Sequence, residues 1–259
     1  CHPMGSFLDS GGKDIGGMTK YWIDLIRNDL DAVRKYVSNP SLYIKFDTLD
    51  ANLMILDAGC GEGYLTRELT RRGHRVIGAD ESLYLIKAAK EASVGPEEYL
   101  LADANHLPIA DGLVDVVLSN FLMVELEYPH QFVAEASRAL KLHGRLIIQT
   151  IHPSLFISKT GQAEGKVVED YHVSQAHALP IVNFDPNAAG RHNTPQPVVW
   201  YHHSLETYVT MLVNNSFYIR DIKEPRPTEL TPLDHEVRKL LKDPRIILID
   251  AEKINNTGV

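Results

Sequence analysis

The sequence predicts an α/β protein with a mostly parallel sheet covered by helices on both faces. Three observations carry that expectation. Short apolar strands and amphipathic helices alternate from residue 53 to residue 151. The run Val114–Ser119 is almost wholly apolar, as a strand covered on both faces should be. Successive predicted strands also run into an acid, at Asp57, Asp80 and Asp103, so polar groups gather at one end of the sheet.

The elements follow in order. Trp22, Ile23, Leu25, Ile26, Leu30, Val33 and Tyr36 have helical spacing between Lys20 and Ser38, with Asn39-Pro40 read as the stop. A strand at Leu53–Asp57 leads to a helix at Glu62–Arg72, closed by Gly73. Arg75–Ala79 is the second strand, and Ser82 is placed to cap the helix through Leu85, Ile86 and Ala89. Tyr99–Ala102 and Val114–Ser119 are the third and fourth strands. Pro129 opens a helix through Phe132, Val133, Ala136 and Leu140. "LHGRLIIQTI" supplies a turn at Gly144 and the fifth strand. From His152 to His203 periodicity dissolves over a stretch too long for a plain connection, which reads as a lid. Leu205–Val213 then reads as a helix, Phe217–Ile222 and Ile246–Ala251 as strands, with a short helix near Glu236–Lys242. The two late strands bring the sheet to seven, with an antiparallel edge.

Composition narrows the function. An apolar fraction of 44% and a charged fraction of 23% suit an ordinary globular chain. No apolar run reaches the roughly 20 residues needed to cross a bilayer, and no secretory leader is read. The two cysteines, Cys1 and Cys60, are not expected to pair, so a cytoplasmic protein is expected. A net charge of −8 disfavours a broad polyanion-binding face. Arg67, Arg71, Arg72 and Arg75 read as a solvated helix face. No nucleic-acid or membrane partner is expected, and oligomeric state is not legible.

"LMILDAGCGEGYL", Leu53 to Leu65, is a strand, a glycine-rich turn and the start of a helix, the arrangement that receives the polar part of a cofactor. The glycines are spaced G-x-G-x-G, at Gly59, Gly61 and Gly63, and Tyr64 stands where a dinucleotide motif has glycine. Asp57 before the loop and Glu62 within it suit a ligand with a positive amino group better than a pyrophosphate.

"LDAGCGEGYL" resembles the first motif of the class I S-adenosylmethionine-dependent methyltransferases. "ADANHLP", "LSNFLMVEL" and "LKLHGRLIIQT" resemble later motifs of that family, with His143 in place of a usual glycine. The resemblance runs over residues 53–151 and implies a Rossmann-like fold with S-adenosylmethionine as cofactor. It further implies that Asp57, Gly59 and Gly61 border the cofactor's amino-acid end and that Asp80, with Glu81 beside it, holds the ribose hydroxyls. Asp103 and Ala104 would face the adenine. Asn120 and Phe121 would line the methionine portion, with Phe121 also bordering the acceptor.

The expected organisation is an N-terminal helical cap at 1–45, a cofactor-binding core at 46–151, a lid at 152–203 and completion of the sheet at 204–259. Six of the twelve histidines fall between 152 and 203, without the spacing of a metal site. His152, at the end of the fifth strand, and His202 are the candidate bases. Trp22, Trp200 and Tyr201 are candidate walls of the acceptor site; Tyr21 and Tyr43 are further neighbours. The expected activity is methyl transfer to an O, N or C atom of a small molecule. A tRNA or protein acceptor, or cofactor binding without transfer, stays open at this level.

Overall fold

Alternate residues of the central strands feed two separate apolar cores, which is what places helices on both faces. Ile55, Val116, Ile147 and Leu248 pack with Leu42, Phe46, Leu65 and Leu69. Their neighbours Leu56, Val117, Ile148 and Ile249 pack with Phe132, Val133, Tyr208 and Leu212 on the opposite side. The computed structural model describes residues 18–157, 168, 170–179, 182–184, 191–193, 198–227, 238 and 242–255.

The chain begins with α1 (Met18–Arg27), a π-helical stretch (Arg34–Ser38) and α2 (Asn39–Phe46). The core then runs β1 (Met54–Ala58), α3 (Tyr64–Arg71), β2 (Arg75–Asp80), α4 (Leu83–Glu91), β3 (Glu98–Leu101) and β4 (Val114–Asn120). A 3₁₀ turn (Leu122–Glu125) leads to α5 (Pro129–Ala139) and β5 (Leu140–Ile151). Two small antiparallel ribbons follow. One pairs β6 (Gln175–Leu179) with β9 (Val198–His202), the other β7 (Val182–Phe184) with β8 (Arg191–Asn193). The chain closes with α6 (Leu205–Asn214), β10 (Phe217–Lys223) and β11 (Ile246–Lys253).

Among the described residues, seven strands form the main sheet in the order β10-β11-β5-β4-β1-β2-β3. Pairing is parallel from β3 through β5 and antiparallel at β11. The two late strands close one edge of the sheet with antiparallel pairing, as expected: β11 lies between β5 and β10 and is antiparallel to both. No helix among the described residues is long and apolar enough to cross a membrane.

Several local expectations change. The predicted helix Lys20–Ser38 is broken at Asp29, which takes a left-handed φ of 55° while Leu30 N–H closes onto the Leu25 carbonyl at 3.0 Å. Asn39-Pro40 does not stop a helix but opens α2, because proline lacks only an N–H that the first turn leaves unused. His143 takes φ 63°, the conformation that favours glycine, and its Nδ1 lies 2.8 Å from Glu252 Oε1. The stretch 152–203 is less irregular than expected, since it holds the two ribbons. The helix expected near Glu236–Lys242 falls largely outside the described residues.

The π-helical stretch and α2 are tied to the sheet by buried polar bonds. Gln149 on β5 accepts from Ser38 Oγ and donates through Nε2 to Ser41 Oγ at 2.6 Å. Its carbonyl accepts the Phe121 N–H at 2.7 Å, so one residue positions both the π-helical stretch and the end of β4.

Candidate functional site

The polar groups lie along the C-terminal ends of β1, β2 and β4, where ligands bind in open α/β sheets. The loop after β1 turns sharply through three left-handed glycines, Gly59 (φ 71°), Gly61 (φ 56°) and Gly63 (φ 81°). At Gly63 a Cβ would lie 2.7 Å from the Tyr99 ring, so that position has neither the space nor the conformation for a side chain. The loop is sewn to β2 by N–H bonds from Gly59 and Cys60 to the Ala79 carbonyl, at 2.8 and 3.0 Å.

Asp80 organises the next layer. Its Oδ2 accepts the Gly61 N–H at 2.9 Å and its Oδ1 the Ser82 N–H at 2.8 Å. Burial raises its carboxyl above the ordinary range, against the pull of those two donors. Asp57, 1% exposed, accepts from Thr66 Oγ1 at 2.6 Å. Burial pushes it up to about 6, opposed by Thr66 and reinforced by Asp80. Tyr64, the first residue of α3, receives Asn120 Nδ2 at 3.1 Å and bonds Asn39 Oδ1 at 3.2 Å. That leaves Asn120 Oδ1 buried with no hydrogen-bond partner among the described residues.

Two cavities adjoin here. The first is bordered by Asp57, Gly61 and Asn120 on the polar side and by Trp22, Phe121, Leu155 and Trp200 on the apolar side. The second is bordered by Glu81, Asp103, Ala104 and Asn105. Gly59, Asp80, Leu85 and Glu125 line both. Phe121 enters the first cavity with φ 62°, an unfavourable conformation for a bulky residue, held by the bond to Gln149.

The structure thus brings together Asp57, Gly59, Gly61, Asp80, Glu81, Asp103, Ala104 and Asn120, with Trp22, Phe121 and Trp200. It leaves three expected residues outside both cavities. His152 caps the 3₁₀ turn Pro153–Phe156: Nδ1 accepts the Ser154 N–H at 3.1 Å, and Nε2 lies 2.9 Å from Glu224 Oε1. His202 is fully buried between the Phe156 and Tyr171 rings and donates from Nε2 to the Tyr171 carbonyl at 2.9 Å. Burial lowers both imidazoles. Tyr201 is buried against the His203 ring. His203, just past β9, meets a different neighbour, donating from Nε2 to the Leu126 carbonyl at 2.8 Å.

Glu62 and Arg67 also differ from expectation. Glu62 is enclosed, accepting Arg27 Nε at 2.9 Å and Arg67 Nη2 at 2.8 Å, so arginines neutralise it rather than a ligand. Arg67 is correspondingly buried rather than solvated. Sequence reasoning missed Asp31, Arg34, Glu125 and Arg245 as cavity residues. The acid at the end of the otherwise apolar "FLMVE" is the one signal that pointed to any of them. Among the described residues, no group of three His, Cys, Asp or Glu is placed to hold a metal ion.

Two expected outcomes arise from this packing. A Cβ on Gly78 of β2 would sit 2.9 Å from both Cys60 Sγ and Thr66 Oγ1 and 3.0 Å from the Tyr99 ring. Gly78→Ala should destabilise the protein by about 1–3 kcal/mol through overpacking. Thermal denaturation checks this, and an unchanged midpoint would mean that the neighbours yield freely. Cys60 is 5% exposed, and burial together with Asp80 and Asp57 pushes its thiol well up. Site-resolved alkylation at neutral pH should modify native Cys60 at least ~100-fold more slowly than the denatured chain. Comparable rates would contradict the enclosed thiol.

Comparison with known proteins agrees with the geometry. Residues 56–148 match the Methyltransferase domain family. An uncharacterized methyltransferase of Schizosaccharomyces pombe is 31% identical over 209 residues, covering 76% of this chain and 71% of that protein. A malonyl-[acyl-carrier protein] O-methyltransferase of Hamiltonella defensa is 34% identical over 121 residues, covering 47% of this chain and 46% of its own. The chain therefore spans less than half the length of that relative. An S-adenosylmethionine dependent methyltransferase from Mesorhizobium loti has a similar fold, with a TM-score of 0.61 at 22% identity over 83% of this chain and 96% of its own.

Proposed function

Because the chain belongs to the S-adenosylmethionine-dependent methyltransferases, we propose that it moves the cofactor's methyl group onto a small molecule seated between Trp22, Phe121, Leu155 and Trp200. The observation that supports this is the pair of adjoining cavities, one side polar and the other walled by aromatic and aliphatic groups.

In this reading Asp80, with Glu81 beside it, takes the ribose hydroxyls, and Asp103 and Ala104 border the adenine. Asp57, Gly59, Gly61 and Asn120 receive the amino-acid end. The residues suit that group chemically. Asn120 Oδ1 is a buried acceptor with no partner among the described residues, ready for an ammonium donor. Asp80 keeps acceptor capacity beyond its two N–H partners, since an ionised carboxylate offers about four acceptor sites.

S-adenosylmethionine supplies a methyl group on a sulfonium leaving group. The chain's own residues then have two tasks, aligning the acceptor for in-line attack and excluding water. Phe121, fixed by Gln149, and Trp200 on β9 form the wall that does both. This reading assigns no proton transfer to His152 or His202, whose rings lie outside the cavities with Nε2 engaged. The malonyl-[acyl-carrier protein] relative covers under half of either chain and does not carry the acceptor across.

The test is label transfer from methyl-tritiated S-adenosylmethionine into a cell extract separated into small-molecule, RNA and protein fractions. Label in the small-molecule fraction is expected. Label confined to RNA or protein overturns the reading.

A further inference from the structure

Glu125 is the carboxyl that the site leaves unanswered. It closes the 3₁₀ turn Leu122–Glu125 and lines both cavities, as Asp80 does. Asp80 has two backbone N–H partners; Glu125 has no hydrogen bond or ion pair among the described residues. Its backbone is nonetheless held on both sides. Leu122 packs so closely on Gly59 that a Cβ there would lie 3.1 Å from it, and the carbonyl of Leu126 accepts from His203. A carboxylate without a partner beside two further acids is costly unless a positive charge joins it.

S-adenosylmethionine is two halves joined through one positive atom. With the adenosyl half against Asp103 and Ala104, and the methionyl half against Asp57, Gly61 and Asn120, the sulfur belongs where the cavities meet. Resting on the cofactor assignment above, we propose that Glu125 is the counter-charge to the sulfonium, by which the protein distinguishes the methyl donor from its uncharged thioether product.

The charge environment supports this. Asp80 and Glu81 act on Glu125 from the end of β2; Asp57, Asp31, Arg34 and Arg245 border the first cavity and Asp103 the second. Burial, then Asp80 and Glu81, push the Glu125 carboxyl up to about 8. At neutral pH it is therefore largely protonated until a cation arrives. A sulfonium favours the carboxylate, so binding the donor expels the proton; binding the thioether does not. The donor's affinity then rises with pH and levels off above about 8. The sulfonium lowers the α-amino pKa in the donor relative to the product, so the Glu125 contribution is the difference between the wild type and Glu125→Gln.

The experiment is calorimetric titration of the wild type and of Glu125→Gln with S-adenosylmethionine and with S-adenosylhomocysteine. It is run in buffers of different ionisation enthalpy from about pH 6 to about pH 8. In the wild type, proton release should be greater for the donor than for the product. The donor's advantage in affinity should grow by up to about fiftyfold over that range, as the ionised fraction rises from about 1% to about half. In Glu125→Gln both differences should fall by at least half while the product still binds. Equal proton release by the two ligands in the wild type overturns the proposal, whether or not the variant folds. A pH dependence of the ratio undiminished in Glu125→Gln overturns it as well. Failure of the wild type to bind either ligand would instead remove the cofactor assignment, and the proposal with it.

Discussion

Replacing Asp80 with alanine should weaken S-adenosylmethionine binding by at least ~100-fold, as read by calorimetry. Two losses combine. The first concerns the protein itself: the Gly61 and Ser82 N–H groups lose the carboxylate that holds the glycine loop against the start of α4. A buried donor left without a partner costs about 1–3 kcal/mol. The second is the loss of the ribose contact, in which hydroxyls donating to a charged acceptor are each worth roughly 1.5–3 kcal/mol. Asp80→Asn separates them. An asparagine oxygen can still accept one of the two N–H bonds, so that variant should unfold closer to the wild-type temperature while binding the cofactor poorly. Wild-type affinity in Asp80→Ala would mean that the ribose is held elsewhere.

The parts of this protein legible in the sequence are those set by local periodicity. Ile55 and Leu56, or Ile147 and Ile148, announce a strand with two apolar faces whatever surrounds it. Asp57, Asp80 and Asn120 could be picked out because each falls where a strand ends, and strand ends gather at one edge of a parallel sheet. What depends on distant partners was not legible. Glu62 looks like a ligand-facing acid from its place in the glycine loop, and only tertiary packing brings Arg27 to it. His152 and His202 sit where a base would be useful, but their rings are taken by Glu224 and the Tyr171 carbonyl, from segments 72 and 31 residues away in the chain. Glu125 stood unassigned in the motif "LSNFLMVEL", because its meaning lies in two cavities meeting beside it.

Arg67→Met should cost about 3–5 kcal/mol of stability, among the largest losses available to one substitution here. Glu62 has a side chain with no exposure, and Arg67 Nη2 reaches both of its carboxylate oxygens, at 2.8 and 2.9 Å. Arg67 Nη1 also bonds the Glu62 carbonyl at 2.6 Å, so the arginine fixes the loop's backbone together with its charge. Removing it strands a buried anion whose remaining partner, Arg27, is 40% exposed at its side chain and reaches across from α1. By the same reasoning Arg27→Ala should cost under about 1 kcal/mol, since a solvated partner is readily replaced by water. For a chain of this size, Arg67→Met should lower the melting temperature by on the order of 10 °C and Arg27→Ala by no more than about 3 °C. The double replacement Glu62→Met with Arg67→Met removes the anion along with its partner and should recover much of the loss, because a buried pair and an apolar pair of similar volume differ little in stability. If Arg67→Met proved no worse than Arg27→Ala, the glycine loop would be held by its backbone bonds to Ala79 and Asp80, and the enclosed pair would be incidental to it.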